Sequence, residues 1–265
     1  MVASRGHPTG RRTTVGSPPK EEQLAMAART GVRWSSIFAV AIVLLGCEQT
    51  RTPVGLDGQL AVFTTDPANP IFGRDSDWRR LGSADDISHR VVYESAAPVL
   101  EITANRDNAA FIRRVDAQLL ATPFLFWSWS VRNGPPAHPI RLVVGFADAG
   151  LTDQRGAFSG LFGGEELPAY SRSITLNWGG SALQRGFLNV SPGTKNIKPH
   201  ATYTVRGGPE NRNRWWPENL DLSHLHAMAW PAVDMAHSRI VFIGISSAAS
   251  TQTGTMRLSG LRLSR

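Results

Sequence analysis

Phe124-Leu125-Phe126-Trp127-Ser128-Trp129-Ser130-Val131 decides the fold class of this chain. Leu125, Trp127, Trp129 and Val131 occupy every second position, with Ser128 and Ser130 between them. Successive side chains of a strand point to opposite faces, so these four apolar residues share one face. A helix would scatter them around its axis. A strand face carrying two indoles, a Leu and a Val belongs to a core. Trp127 and Trp129 are therefore expected between two sheets rather than on a ligand.

Working outward, Ile140, Leu142, Val144 and Phe146 repeat the alternation in the next run. Further short runs rich in β-branched and aromatic residues are Leu60-Thr64, Val91-Glu94, Val99-Ala104, Ser173-Trp178, Ala201-Arg206, Arg239-Ser246 and Thr255-Leu263. Gly, Pro, Asn and Asp punctuate them, which is the signature of strands joined by turns. In the last run the apolar parity changes, from Met256 and Leu258 to Leu261 and Leu263, and a bulge around Ser259-Gly260 accounts for the shift. Long helical periods are missing. One short helix is expected near Leu220-Met228, with Asp221 or Ser223 as its N-cap. The pattern predicts an all-β, jelly-roll-like β-sandwich of galactose-binding-like type with at most one or two short helices.

The composition, 42% hydrophobic and 18% charged, suits a folded domain. A formal charge of +7 suggests nucleic acid at first sight. Six of the 28 cations and two of the 21 anions precede Cys47, however, leaving 22 against 19 beyond it. No basic run tracks a phosphate backbone there, and nucleic acid is not an expected partner. Lysine is confined to Lys20, Lys195 and Lys198, so arginine supplies the rest, as GC-rich coding favours. The single cysteine excludes an intrachain disulfide and a cysteine-rich metal site.

The place of that cysteine is informative. Arg29 and Arg33 precede nine apolar residues, Ile37 to Leu45, and Gly46 leads into Cys47. This is the three-part layout of a secretory signal peptide, and the run is short for a membrane-spanning helix. Leu44-Leu45-Gly46-Cys47 resembles the lipobox of bacterial lipoproteins, with Leu45 larger than the residue usual at its place. That resemblance implies cleavage before Cys47, its acylation, and attachment to the bilayer on the periplasmic side of the cell envelope. A cleaved signal peptide or short anchor with an incidental cysteine is the alternative. Residues 1–25 are polar and patternless, and Met26 competes with Met1 as the start. The organisation expected is thus 1–25 disordered or preceding the true start, 26–46 signal peptide, 47–58 polar tether, and 59–265 one β-sandwich domain.

Thr122-Pro123-Phe124-Leu125-Phe126-Trp127-Ser128-Trp129-Ser130-Val131 also resembles a strand of the bacterial family called domain of unknown function 3047. Leu142-Val143-Val144-Gly145-Phe146-Ala147-Asp148 looks like that family's following strand, and Leu100-Glu101-Ile102-Thr103-Ala104-Asn105 like the preceding one. Trp216-Pro217-Glu218-Asn219-Leu220-Asp221-Leu222 is similar to its W-x-x-E-x-x-D segment, making Trp216, Glu218 and Asp221 motif residues beside Trp127 and Trp129. Ile240-Gly244 resembles its penultimate strand. The resemblance covers most of residues 90–265. It implies a jelly-roll sandwich akin to carbohydrate-binding modules and brings no activity with it. The acidic residues usual before the family's last strand are replaced here by Ser246-Ser247-Ala248-Ala249-Ser250-Thr251-Gln252-Thr253-Gly254, which removes any cation site built on them.

Candidate site residues follow from side-chain chemistry. Adjacent Trp215 and Trp216 face opposite ways in an extended segment, and the motif assigns Trp216 inward. Trp215 is then the exposed ring, and Asn213 and Arg214 beside it supply the polar partners a stacked sugar needs. Trp178 is a further ligand-binding candidate. His224 and His226 follow Asp221, but i and i+2 diverge on a helix and no third histidine is near, so no metal is expected. Glu165-Glu166 lacks the opposed geometry of a glycosidase pair. Ser159 lacks the nucleophile-elbow spacing. Neither a P-loop nor a dinucleotide fingerprint occurs, and no cofactor is expected. The reading is a non-catalytic envelope lipoprotein that binds a glycan or a protein. Its rivals are a glycan or peptidoglycan hydrolase using Asp148, Glu165, Glu218 or Asp221, and a structural member of an envelope assembly.

Overall fold

Residues 52–63, 78–105, 108–148, 167–195 and 197–265 are described by the computed structural model. Cys47, the signal segment, Ser159, Glu165 and Glu166 lie outside them. The chain from Glu48 onward packs as one unit. Its described residues form fourteen strands and one α-helix. The strands are β1 (Thr52–Pro53), β2 (Leu60–Ala61), β3 (Trp78–Leu81), β4 (Ile87–Glu94), β5 (Ala97–Ala104), β6 (Ala110–Gln118), β7 (Phe124–Asn133), β8 (Ile140–Ala147), β9 (Arg172–Gly179), β10 (Leu188–Ser191), β11 (His200–Gly207), β12 (Trp216–Asp221), β13 (Arg239–Ser247) and β14 (Gly254–Ser264).

An eight-stranded sheet runs β1-β6-β13-β8-β9-β11-β10, with β3 also on β6. A six-stranded sheet runs β12-β7-β14-β5-β4, with β2 also on β14. Pairing is antiparallel except for β1 with β6 and β9 with β11. The chain is an all-β sandwich of jelly-roll type, as the alternation in β7 indicates.

Leu125, Trp127, Trp129 and Val131 of β7 meet Ile140, Leu142, Val144 and Phe146 of β8 and Ile174, Leu176 and Trp178 of β9 in one buried core. Three indoles form its centre: Trp129 sits edge-on to Trp127 at 5.5 Å and to Trp178 at 5.6 Å between ring centroids. Such T-shaped contacts suit the ring quadrupoles, and truncating a buried tryptophan of this kind costs about 3–5 kcal/mol.

The parity shift in the last strand is a bulge. Ser259 pairs with Ser128 and Arg262 with Phe126, so β14 advances three residues against two of β7. Gly260 takes a φ of +66°, which a side chain would strain. All four apolar residues Met256, Leu258, Leu261 and Leu263 are thereby buried.

The single helix α1 spans Leu222–Ala229. The Asp221 side chain caps it by accepting from His224 N at 2.9 Å. Leu222, Leu225, His226 and Ala229 form the buried stripe, at the spacing one helix face requires.

The expected tether requires a correction. Thr52–Pro53, inside residues 47–58, forms β1 and pairs with Val115–Asp116. Backbone pairing with an open edge of β6 needs no apolar signature, so the polar composition of this stretch concealed it.

Candidate functional site

Trp215 and Trp216 do face opposite ways. Trp216 pairs with Trp129 across β12 and β7 and packs against the core. The Arg206 guanidinium stacks on its ring at 3.8 Å, and its Nε1 donates to the Asn211 carbonyl at 2.8 Å. Beside it, the Glu218 carboxylate is buried and accepts from Arg206 Nε at 2.7 Å and from Trp129 Nε1 at 3.1 Å. Trp216, Glu218, Arg206 and Trp129 thus form an interior junction between the sheets. Trp127 and Trp129 are 2% and 0% exposed.

Trp178 is corrected as a ligand-binding candidate: it is fully buried against Trp129, with no ring face open to solvent. Trp215 is half-buried on the outer side of the six-stranded sheet, where its Nε1 donates to Glu94 Oε2 at 2.7 Å. Asn213 and Arg214 are exposed in the loop before it. Asn213 adopts a φ of +59°, and its backbone N–H donates to the Val131 carbonyl.

That outer side of the six-stranded sheet is dominated by compensated charge. Glu94, at the β4–β5 turn, also pairs with Arg132 at 2.7 Å and with Arg257. Glu101 accepts from Arg90 Nε and Arg257 Nε, each at 2.7 Å. Two carboxylates are therefore held among three guanidinium groups.

The carboxylates named for hydrolysis are dispersed among structural partners. Asp148 holds Arg172 through two hydrogen bonds, 2.9 and 2.6 Å long. Glu218 is the interior junction and Asp221 the helix cap. Burial pushes the Asp221 carboxyl up, but hydrogen bonds from Ser223 Oγ and from the backbone N–H groups of His224 and Ser223 together outweigh it and leave the pKa below its ordinary value. Among the described residues, no group of three His, Cys, Asp or Glu is placed to hold a metal ion.

His224 and His226 diverge on α1, one exposed and one buried. Arg172 Nη1 lies 3.2 Å from His226 Nε2. A guanidinium can only donate, so Nε2 accepts and the imidazole proton sits on Nδ1. Burial foremost, and then Arg172, depress the His226 pKa to about 4.

The outer side of the eight-stranded sheet has a different chemistry. Register places Ser246 of β13 opposite Arg141 of β8 and Asn177 of β9 opposite Thr204 of β11. Leu142 pairs with Leu176, so one step along the antiparallel ladder Arg141 neighbours Asn177. The next row runs Gly244, Val143, Thr175, Thr202 and Asn189. The third runs Phe242, Gly145, Ser173, His200 and Ser191. On β9, β11 and β10, every position of these rows is a hydroxyl, an amide or an imidazole. Phe187, 65% exposed, borders the first row, its carbonyl accepting from Thr204 N at 2.9 Å.

Two buried polar atoms in the first row have no partner among the described residues: Arg141 Nε and Asn177 Oδ1. Burial lowers the Arg141 pKa. At the far end of the face, Phe242, Tyr170, Leu81, Ala110, Ile112 and Leu167 form a second apolar cluster. Phe242 lies so close over Gly145 that a Cβ there would meet its ring at 2.0 Å.

This face was missed in the sequence, although its parts were visible. Ser173, Thr175 and Asn177 alternate with Ile174, Leu176 and Trp178, as Thr202 and Thr204 do with Ala201, Tyr203 and Val205. What the linear pattern lacked was strand order, which alone sets the rows side by side.

No known family model matches this sequence, and no curated protein does. Among solved structures, the chain is similar to a family 12 xyloglucanase from Bacillus licheniformis, with 8% identity and a TM-score of 0.45 over 76% of this chain and 98% of that one. It is similar to the family 11 carbohydrate-binding module of the cellulosomal cellulase Lic26A-Cel5E of Clostridium thermocellum, with 9% identity and a TM-score of 0.36 over 70% and 86%. It is also similar to the xyloglucanase domain of NopAA, a type three effector from Sinorhizobium fredii, with 9% identity and a TM-score of 0.36 over 73% and 100%.

Proposed function

We propose that this chain is a lipoprotein of the bacterial cell envelope, joined to the bilayer through acylated Cys47, whose β-sandwich binds a glycan without cleaving it. The observation that carries the binding reading is the outer face of β9, β11 and β10. Its rows of hydroxyl and amide groups, bordered by the exposed ring of Phe187, suit a sugar, which offers hydroxyls to polar groups and C–H faces to an aromatic ring. The non-catalytic reading is supported by the carboxylates: Asp148, Glu218 and Asp221 are each committed to a separate structural partner. The membrane reading rests on the sequence from Arg29 to Cys47.

The test uses the full chain in detergent, passed over a panel of envelope polysaccharides and peptidoglycan, with released sugars assayed in the same tubes. Retention lost in Phe187→Ala and Thr202→Val, and kept in Trp215→Ala, is the expected result. Loss in Trp215→Ala alone moves the site to the six-stranded sheet. Released product replaces the binding reading with the hydrolase. No retention of any polymer overturns glycan binding and favours a protein partner. Fatty-acid labelling of the wild type, absent in Cys47→Ser, tests the anchor separately.

A further inference from the structure

Several arginines among the described residues are matched to a carboxylate. Glu94 and Glu101 are held by Arg90, Arg132 and Arg257, Glu218 by Arg206, Asp148 by Arg172, and Asp116 by Arg239. Arg212, which has no carboxylate, donates instead to the carbonyls of Gly134 and Pro135. Arg141 has neither a carboxylate nor a carbonyl partner among the described residues. It sits on β8, a strand with neighbours on both sides, and faces outward between Ser246 and Asn177. It is half-buried, its Nε is enclosed without an acceptor, and no carboxylate meets it among the described residues.

Such a group is costly. A guanidinium withdrawn from water loses hydration that only an anion or a set of acceptors restores. Its planar fork fits the two oxygens of a carboxylate or phosphate better than any neutral group does. Beside it, Asn177 Oδ1 is a buried acceptor without a donor. The other guanidinium nitrogens of Arg141 and the Asn177 amide nitrogen are not enclosed and suit a ligand with an anionic fork and an oxygen acceptor close by, and the hydroxyls of Ser246 and Thr204 extend the same row.

We propose that the open guanidinium nitrogens of Arg141 are the seat for the anionic substituent of an acidic glycan, with the Asn177 amide nitrogen donating to an adjacent sugar oxygen. This deepens the glycan-binding reading and rests on it. A uronic-acid carboxylate and a sugar phosphate share the required chemistry. A neutral polymer of the same backbone lacks it. The salt dependence of binding follows, since an ion pair formed at a partly open face weakens as salt screens it.

Binding to the full chain is measured by titration calorimetry with polygalacturonate, its fully methyl-esterified form, and a glycerol-phosphate polymer. Wild-type protein is expected to bind at least one acidic polymer ten-fold or more tightly than the ester. The stronger of the two acidic arms identifies the anion. Arg141→Gln, checked for an unchanged thermal midpoint, is expected to remove that preference. Asn177→Ala is expected to weaken acidic and neutral binding together. Equal wild-type affinity for acid and ester overturns the proposal without any variant, so a folding defect in Arg141→Gln does not shield it. Acid preference that survives in a folded Arg141→Gln also overturns it, and leaves glycan binding standing. If neither acidic polymer binds while a neutral glycan is retained, the anion seat falls alone. If no polymer binds at all, both readings fall.

Discussion

Arg206 and Glu218 meet through the interior from opposite sheets, Nε to Oε1 at 2.7 Å, with the Trp216 ring beneath the guanidinium and the Trp129 indole donating to the same oxygen. Both side chains are close to fully buried, 11% and 5% exposed. A buried pair of this kind contributes little over an apolar replacement, yet its separation is expensive.

The two residues should therefore couple strongly in a double-mutant cycle. Glu218→Leu alone is expected to cost about 3–5 kcal/mol, because the guanidinium is left buried without its anion. Arg206→Met alone should cost a similar amount, and the double variant much less than the sum. Urea denaturation of the four proteins measures this. Additive losses would show that the contact carries no coupling.

Acidification should destabilise the protein through two histidines. His138 and His226 are 2% and 0% exposed, and burial, as the leading cause in each, holds their pKa at about 4, below the ordinary 6.5. The folded chain takes up these protons near pH 4 and the unfolded chain near 6.5, so between the two values protons favour unfolding. Stability is fully present above pH 6.5 and is lost as pH falls toward 4, by up to about 3 kcal/mol per histidine. Denaturation midpoints across this window, compared with a His138→Gln/His226→Gln variant, give the test. The variant should show a shallower slope, and parallel slopes would remove the histidines as the cause.

The β4–β5 turn offers a stabilising change. Ser95 and Ala96 take φ values of +49° and +66°, the left-handed region that two-residue hairpins reserve for Asn and Gly. A residue with a Cβ costs roughly 1–2 kcal/mol there. Ser95→Asn/Ala96→Gly should raise the stability by about 1 kcal/mol, read from the thermal midpoint. An unchanged or lowered midpoint would mean that the Glu94 contacts with Arg132, Arg257 and Trp215 set the turn and already offset its strain.

What could be read in advance depended on how each element is held. Strands buried on one face advertise themselves by alternation, as β7, β8, β9 and β13 do. The β14 bulge was legible too, because burying Leu258 and Leu261 on one face leaves no other solution. β6 was hidden because Arg113, Arg114 and Asp116 interrupt its apolar set, and Arg113 donates to the carbonyls of Ala61 and Val62. The edge strand β12 was hidden by Pro217, which an open edge tolerates since no ladder partner needs its N–H. Trp216 and Glu218 were picked out by resemblance, whereas Arg141 was invisible. Its significance lies in what fails to surround it, and that is a property of strand order alone.

The place of β14 has a kinetic consequence. It stands in the middle of the six-stranded sheet, between β7 and β5 and also holding β2, yet it comes after all of them in the chain. The segments it joins are separated from it by 120 residues and more, so their loops must close before that sheet gains its central pairings. During synthesis the chain therefore carries β7 and β5 with open edges until residue 264 has emerged. Completion of that sheet is deferred until β14 has been made, and a partner that shields unpaired edges in the interval would raise the yield of native protein.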